Sequence, residues 1–246
     1  MMATVWRAVH DRPHRPLEIL EIGSWLGASA LTWGHALALH NESRGRISCL
    51  DAWSPFVDRT LNEGYAHTAM EAAFRDGTAY DTFCRNMSSL PTGVDHTVLR
   101  GRSADILPTL PAGGFDIIYI DGDHGYSAVR EDIRNCMPLV ADGGILCGDD
   151  LELQAHEVNA EIARQQPSLD YALAVHLSRT YHPGVTLAVG EAFGRVSAWE
   201  GFWAMRKQGE SWGPLSLDGM PIDMPPHLPM RELMQLKLYL MQNGLM

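Results

Sequence analysis

The stretch from Phe115 to Asp150, FDIIYIDGDHGYSAVREDIRNCMPLVADGGILCGDD, restricts the chain to one kind of architecture. It opens with the apolar, β-type residues Ile117, Ile118, Tyr119 and Ile120, which stop at Asp121-Gly122-Asp123-His124. A helical segment follows, with Val129, Ile133, Met137 and Val140 as its inward stripe. Asp142-Gly143-Gly144 then turns the chain into a second apolar run, which ends at Asp149-Asp150. Continuous apolar runs with a helix between them describe parallel strands buried on both faces. Ligands of such sheets bind beyond the carboxyl ends of the strands. Both acidic turns lie at such ends, so adjacent strands would gather several carboxylates and a histidine in one small volume. Carboxylates that close repel one another, and a positive partner is expected among them.

The flanking segments extend the same pattern. A short helix over the first dozen residues ends at Pro13 and Pro16. Leu17 to Ile22 is the first strand. It runs into Gly23-Ser24-Trp25-Leu26-Gly27 and then a helix from Ala28 to His40. Arg46 to Leu50 is a second strand, closed by Asp51. A glycine turn between strand and helix, with an acid at the end of the next strand, resembles a nucleotide site. Asp51 could accept both ribose hydroxyls, whereas Glu21 suits a cationic ligand better than a pyrophosphate. The same glycines could equally serve only to tighten the turn. Residues 52–91 carry no strand signal, with helices expected over 66–74 and 80–88. They form either an inserted lid or a packing helix with long connections. His96 to Leu99 is the third strand, and Ser103 is placed to cap a short helix. A helix is expected over Glu152 to Gln166. Strands are expected over Tyr171 to Leu177 and Val185 to Gly190, whose short connection allows only an antiparallel pair.

Over 246 residues, the net charge of −11 disfavours nucleic acid and acidic membrane as partners. Cys49, Cys84, Cys136 and Cys147 form no CxxC pair and read as reduced core thiols of a cytoplasmic protein. No apolar stretch is long enough to span a bilayer. Residues 1–194 are expected to form one domain. Residues 195–246, with Trp199, Phe202, Trp203 and Trp212, an extended linker marked by Pro221, Pro225, Pro226 and Pro229, and an apolar helix over Arg231 to Met241, are expected to be an arm that packs back or forms a homodimer or higher homo-oligomer.

The segments EIGSWLGAS, LDAW, GRSADILPTL, YIDGDHGYSAVREDI, PLVADGGILCGDD and YHPGVTLAVGEAFG, taken in this order, resemble class I S-adenosylmethionine-dependent methyltransferases. Within these, the resemblance is to the branch of macrolide-sugar and aminocoumarin-sugar O-methyltransferases and cephalosporin-hydroxylase-like proteins. It covers roughly residues 17–194 of the chain. It implies an α/β, Rossmann-like, seven-stranded and mostly parallel sheet of order 3-2-1-4-5-7-6, strand 7 antiparallel, with helices on both faces. It also implies that Glu21, Gly23, Ser24 and Gly27 line the methionine end of S-adenosyl-L-methionine, that Asp51 holds the ribose, that Arg102 and Ser103 lie beside the adenine, and that Asp121 borders the cofactor. Trp25 stands where the commoner E/D-x-G-x-G-x-G pattern has its middle glycine.

The resemblance further implies a divalent ion, Mg²⁺ or else Mn²⁺ or Ca²⁺, on Asp121, Asp149 and Asp150, an oxygen-only set that suits such cations. His124 is the expected base, with Asp123 as the second candidate. Local readings compete with these roles. His124 could cap the next helix, and Asp149-Asp150 could cap a helix starting at Glu152. His156, His176 and His182 have weaker claims, and His182-Pro183-Gly184 reads as a rim turn. The expected activity is O-methylation of a small hydroxylated molecule, a sugar or glycosylated natural product before a catechol or phenol. A metal-independent methyltransferase and a cofactor-binding assembly protein without turnover remain alternatives. The absent GxGxxG makes a hydride-transferring NAD enzyme a poor fit.

Overall fold

A computed structural model describes residues 1–56, 60–62, 65–221, 223–231, 234–235 and 238. Its elements run α1 (Met2–Asp11), β1 (Leu17–Ile22), α2 (Ala28–His40), β2 (Gly45–Asp51), α3 (Tyr65–Arg75), α4 (Thr78–Met87), β3 (Val94–Arg100), α5 (Ser103–Ile106), β4 (Phe115–Ile120), α6 (Tyr126–Cys136), β5 (Val140–Leu151), α7 (Ala160–Arg164), β6 (Ala172–Ala174), β7 (Arg179–Tyr181), α8 (Pro183–Phe193), β8 (Ser197–Trp199), β9 (Gly201–Gln208) and β10 (Ser211–Pro214). β1 lies at the centre of the main sheet, parallel to β2 on one side and to β4 on the other. The crevice where the strand order reverses therefore opens beyond Ile22 and Ile120, at the carboxyl ends of β1 and β4.

Side chains alternate across the strands, and the two faces carry separate cores. Ile19, Ile47, Ile117, Tyr119, Ile145 and Cys147 pack under α1, α2 and α4. Leu20, Ile22, Leu50, Ile118, Ile120 and Leu146 pack under α6 and α8. This is the two-sided burial that the uninterrupted apolar runs require.

Counting only the path through β8, the order is 3-2-1-4-5-9-8, with β9 antiparallel to β5 and β8 antiparallel to β9. That is the expected order, with β9 as the reversed strand. β10 adds one more strand along the same edge of β9, so the sheet has eight strands rather than seven.

The segments that supply the last strands differ from expectation. Val185 to Gly190 belongs to α8, which starts with Pro183 in its first turn. A short apolar run has no periodicity to separate a buried strand from a helix buried all round, and the proline at the helix start was the signal to use. Of Tyr171 to Leu177 only 172–174 forms a strand, and it pairs with β7 in a separate hairpin. The edge of the main sheet comes instead from residues 197–214, so the boundary expected at 194 falls inside the domain. The helix expected over 152–166 shrinks to α7, whose start is fixed by the Asn159 side chain accepting the Glu161 and Ile162 N–H groups. Ser103 is the first residue of α5 and not its cap, which is Arg102. Three cysteines are buried, but Cys84 on α4 is exposed and is not a core thiol. The apolar helix expected over 231–241 lies largely outside the described residues. No helix among the described residues is long and apolar enough to cross a membrane.

The membership of residues 197–214 in the main domain has an energetic signature. Trp203 on β9 is 1% exposed and packs against Phe193 of α8. Replacing it with alanine is expected to cost about 3–5 kcal/mol, a cavity in a primary core. Urea unfolding of Trp203→Ala measures this. A loss within about 0.5 kcal/mol, as for a surface site, would restore the picture of an appended arm.

Candidate functional site

β1 hands the chain to a turn that only glycine can make. Gly23 has φ +88, and a Cβ there would lie 1.9 Å from the carbonyl oxygen of Asp121 on the neighbouring loop. The ends of β1 and β4 thus touch backbone to backbone. Trp25, at the place of the missing glycine, still adopts positive φ (45). Its indole meets Phe74 of α3 edge-on at 4.7 Å. The left-handed turn is kept at a backbone cost a glycine avoids, and a ring is gained in return.

A cleft of about 400 Å³ opens here, and its walls include Gly23, Asp51, Arg102, Ser103, Asp121 and Asp150. Ile22, Leu50, Phe56, Met70 and Phe74 supply apolar surface. Asp51 accepts hydrogen bonds from the backbone N–H of Trp25 at 2.8 Å and of Trp53 at 2.6 Å. Burial raises its carboxyl, and those two N–H groups pull it back. Its remaining lone pairs are free for a ligand hydroxyl.

Glu21, Ser24 and Gly27 stand behind this wall. Strand alternation turns Glu21 toward α2, where it is fully buried. Neither of its oxygens, nor Ser24 Oγ, has a hydrogen-bond partner among the described residues. Burial pushes the Glu21 carboxyl up to about 7, against the pull of nearby Ser29, Ser24 and Trp33. Gly27 lies against Met87 and Phe83 of α4. In the 52–91 segment, α4 is therefore a packing helix, while α3 and Phe56 wall the cleft.

Acidic groups gather at the inner end of the cleft. Tyr119 Oη lies 3.0 Å from Asp121 Oδ2 and 3.2 Å from Asp149 Oδ2, with one hydrogen to give. Asp121 is raised well above the usual carboxylate range by burial and then by the charges of Asp150 and Asp149. Asp149 is raised by burial and by Asp150. Asp150 has φ 65, inside a register break of the β5–β9 pairing between Gly148 and Leu151. This bulge redirects the side chain, and Asp150 meets Nε2 of His124 at 3.0 Å. The strand runs through both aspartates, so they are not helix caps.

His124 is held at both ring nitrogens, with Nδ1 2.6 Å from Asp170 Oδ1. Burial alone would lower it, but the hydrogen bonds to Asp150 and Asp170 outweigh that and raise it to about 10. The N-cap of α6 is Gly125, which leaves His124 outside the cap. Asp123 accepts the Gly125 N–H at 2.7 Å and lines the cleft. His182 is no rim residue. It is 1% exposed, with Nδ1 3.0 Å from Glu152 Oε1. His176 bonds to the Glu157 carbonyl, away from the cluster.

Asp121, His124 and Asp150 can each point one ligand atom into a common space, all within 4.8 Å of one another. Asp149 is outside that set and joins Asp121 through Tyr119. Burial first, and then the neighbouring carboxylates, raise Asp121 and Asp149, an arrangement that suits a cation, whereas His124 holds Asp150 low against its own burial. Tyr119 Oη, Glu152, Asp170 and His67, whose Nε2 lies 2.6 Å from Asp170 Oδ2, are not singled out by the sequence. Tyr119 was readable only as a strand residue, and nothing near Asp170 marks it.

Residues 20–151 match a family described as a methyltransferase domain. Over 153 residues the chain is 25% identical to a Streptomyces olivaceus protein, 8-demethyl-8-(2,3-dimethoxy-alpha-L-rhamnosyl)-tetracenomycin-C 4'-O-methyltransferase. The match takes in 57% of this chain and 55% of that protein, so the chain spans about half the length of the curated relative. Among solved structures, the O-methyltransferase NovP superposes with a TM-score of 0.53 at 18% identity, over 84% of this chain and 78% of that one. The calicheamicin methyltransferase CalS11 gives 0.51 at 16% identity, over 83% and 76%. These two likenesses establish the fold.

Glu21 yields a pH prediction. Its folded value of about 7 lies above the ordinary 4.5, so the folded state holds its proton more tightly. That contribution is complete below about pH 4.5 and is lost as pH rises through about 7. Glu21→Gln is expected to remove on the order of 3 kcal/mol of the stability decline between about pH 5 and about pH 8. Urea unfolding at the two pH values measures it, and equal slopes in variant and parent would refute the assignment.

Proposed function

The chain belongs to the methyltransferase-domain family, with the class I fold expected of it, and from that membership we propose that it moves the methyl group of S-adenosyl-L-methionine to a hydroxyl of a small molecule, a sugar or glycosylated natural product. The observation that carries this reading is the cleft running from Asp51, Arg102 and Ser103 to the Asp121–His124–Asp150 cluster. One end offers a ribose acceptor and the other a base beside carboxylates. A second hollow of about 260 Å³ adjoins it through Phe56, Asp123, His124 and Ala128. Asn62, Ser127, Ser168 and Asp170 give that hollow polar walls. Such walls suit a hydroxyl-rich acceptor better than a flat catechol or phenol. The Streptomyces olivaceus relative, named as the 4'-O-methyltransferase of a rhamnosyl-tetracenomycin, supports this choice.

In the transfer, the acceptor oxygen forms a bond to the methyl carbon as the carbon–sulfur bond breaks. The electron pair stays on sulfur, giving S-adenosylhomocysteine, and the hydroxyl proton goes to Nε2 of His124. The walls hold donor and acceptor in line, which is where most of the rate gain arises. Asp121 and Asp150 are the residues that would hold a divalent ion, Mg²⁺ first, with Asp149 adjoining through Tyr119. When bound, such an ion lowers the pKa of a coordinated hydroxyl and orients it. The doubly paired ring is held as a cation, so His124 can take the acceptor's proton only after Nε2 has been released from Asp150 and has given up its own hydrogen to solvent.

A metal-independent reading draws on the same contact, because the His124 imidazolium already gives Asp150 a counter-charge. The deciding experiment is calorimetric titration of S-adenosylmethionine with Mg²⁺ and with chelator, followed by mass-spectrometric screening of sugar and catechol acceptors. Cofactor binding and methylated sugar are the expected outcomes. Chelation and Asp121→Ala should each lower turnover by more than about 100-fold, with Mg²⁺ reviving only the chelated parent. His124→Ala should lose about 10²–10⁴-fold. Full turnover in chelator would favour the metal-independent route, and absent cofactor binding would defeat both.

A further inference from the structure

Asp170 lies outside the residues matched to the family and in no motif of the sequence, yet it is the point on which the cluster converges. Its Oδ1 is 2.6 Å from Nδ1 of His124, and its Oδ2 is 2.6 Å from Nε2 of His67 on α3. A third ring, His182, brings Nε2 to 3.9 Å of Oδ1. That nitrogen has no hydrogen-bond partner among the described residues, although His182 is 1% exposed. The backbone holds Asp170 in place as well. Its N–H donates to Asn62 Oδ1 at 2.8 Å, and Asn62 Nδ2 donates to the Ser168 carbonyl at 3.1 Å.

From this geometry we propose that Asp170 is the positioning residue for His124, accepting the Nδ1–H so that Nε2 is the nitrogen presented to the acceptor hydroxyl. The proposal rests on the reading of His124 as the base. An imidazole serves as a base only through the nitrogen without a hydrogen, and the partner of the other nitrogen decides which one that is. His124 sits on the loop between β4 and α6, where no strand ladder fixes its ring. Asp170 supplies that constraint from a turn just before β6. Its own carboxylate is kept from swinging away by His67, so the α3 segment is coupled to ring orientation.

The plain structural role for Asp170 is to pin α3 to the 168–170 turn. Asp170→Asn separates the two roles. The backbone bond to Asn62 survives it, while the acceptor for Nδ1–H can be replaced by an amide donor. The test uses the full chain labelled with ¹⁵N-histidine, saturated with S-adenosylhomocysteine and Mg²⁺, with His124 identified by the signal missing in His124→Gln. In the parent and in His67→Gln, Nδ1 of His124 is expected to carry the hydrogen. In Asp170→Asn its resonance should shift to that of an unprotonated nitrogen. On an acceptor that the parent methylates, Asp170→Asn should lower kcat by between about tenfold and about 10⁴-fold, with KM nearly unchanged. Asp170→Glu should recover part of that loss. An unchanged His124 resonance in Asp170→Asn, or an effect on KM alone, would overturn the proposal. If the parent methylates none of the acceptors, the functional reading fails while the resonances still decide what Asp170 does to the ring. If Asp170→Asn fails to fold, Asp170→Ala, which removes both side-chain contacts and keeps the backbone bond to Asn62, takes its place with the same expected shift, and an unchanged His124 resonance there would overturn the proposal.

Discussion

The repulsion among carboxylates at the ends of β4 and β5 is the constraint around which the site is arranged. Asp121, Asp149 and Asp150 are brought together by strand pairing, whatever it costs them electrostatically. Two devices within the chain hold the arrangement. Tyr119 shares one hydroxyl between Asp121 and Asp149, and His124 lends positive charge to Asp150 and Asp170. Neither device offsets burial and repulsion fully, since burial first and the neighbouring carboxylates second keep Asp121 and Asp149 raised. The residual strain is what a cation would relieve. It also explains why the same histidine cannot be both the internal counter-charge of Asp150 and a base.

Much of this was legible in order and little in detail. The β4–β5 unit could be read in order because each apolar run is punctuated by acidic residues or glycines, but Val140, expected on the inward stripe of the helix, opens β5, and Asp142–Gly144, expected as a turn, lies inside that strand at an irregularity of its pairing with β4; α2 matched its expected span of Ala28–His40. Gly23, Asp51, Arg102, Ser103 and Asp121 reached the cleft because strand ends are fixed by topology. Glu21 did not, since its direction depends on which side of β1 the sheet presents to α2. Asp150 was named for its position, but the bulge that aims it is a property of β9 pairing and has no local code. Asp170 and His67 were invisible because both belong to segments whose placement is set only by packing.

The 52–91 segment shows how one insertion serves two ends. α4 buries Ala79, Phe83 and Met87 against Gly27 and Trp53 and so belongs to the core. α3 contributes Met70 and Phe74 to the cleft and His67 to Asp170. On the proposed reading, acceptor selectivity and the orientation of the His124 ring are joined in a single helix. A change in α3 that adapts the cleft to a new acceptor also moves a contact of Asp170.

The placement of β9 bears on how the protein reaches its native state. β5 pairs on one side with β4, close in sequence, and on the other with β9, whose residues follow some fifty positions later. Until β9 arrives, one edge of β5 is open and the left-handed kink at Asp150 has no partner strand to define it. A chain emerging from the ribosome can thus build the nucleotide half of the sheet early, with an unpaired strand edge of the kind that invites association with other chains. The carboxylate cluster comes last, so a truncated or slowly maturing copy would present a cofactor cleft with its acidic end unfinished.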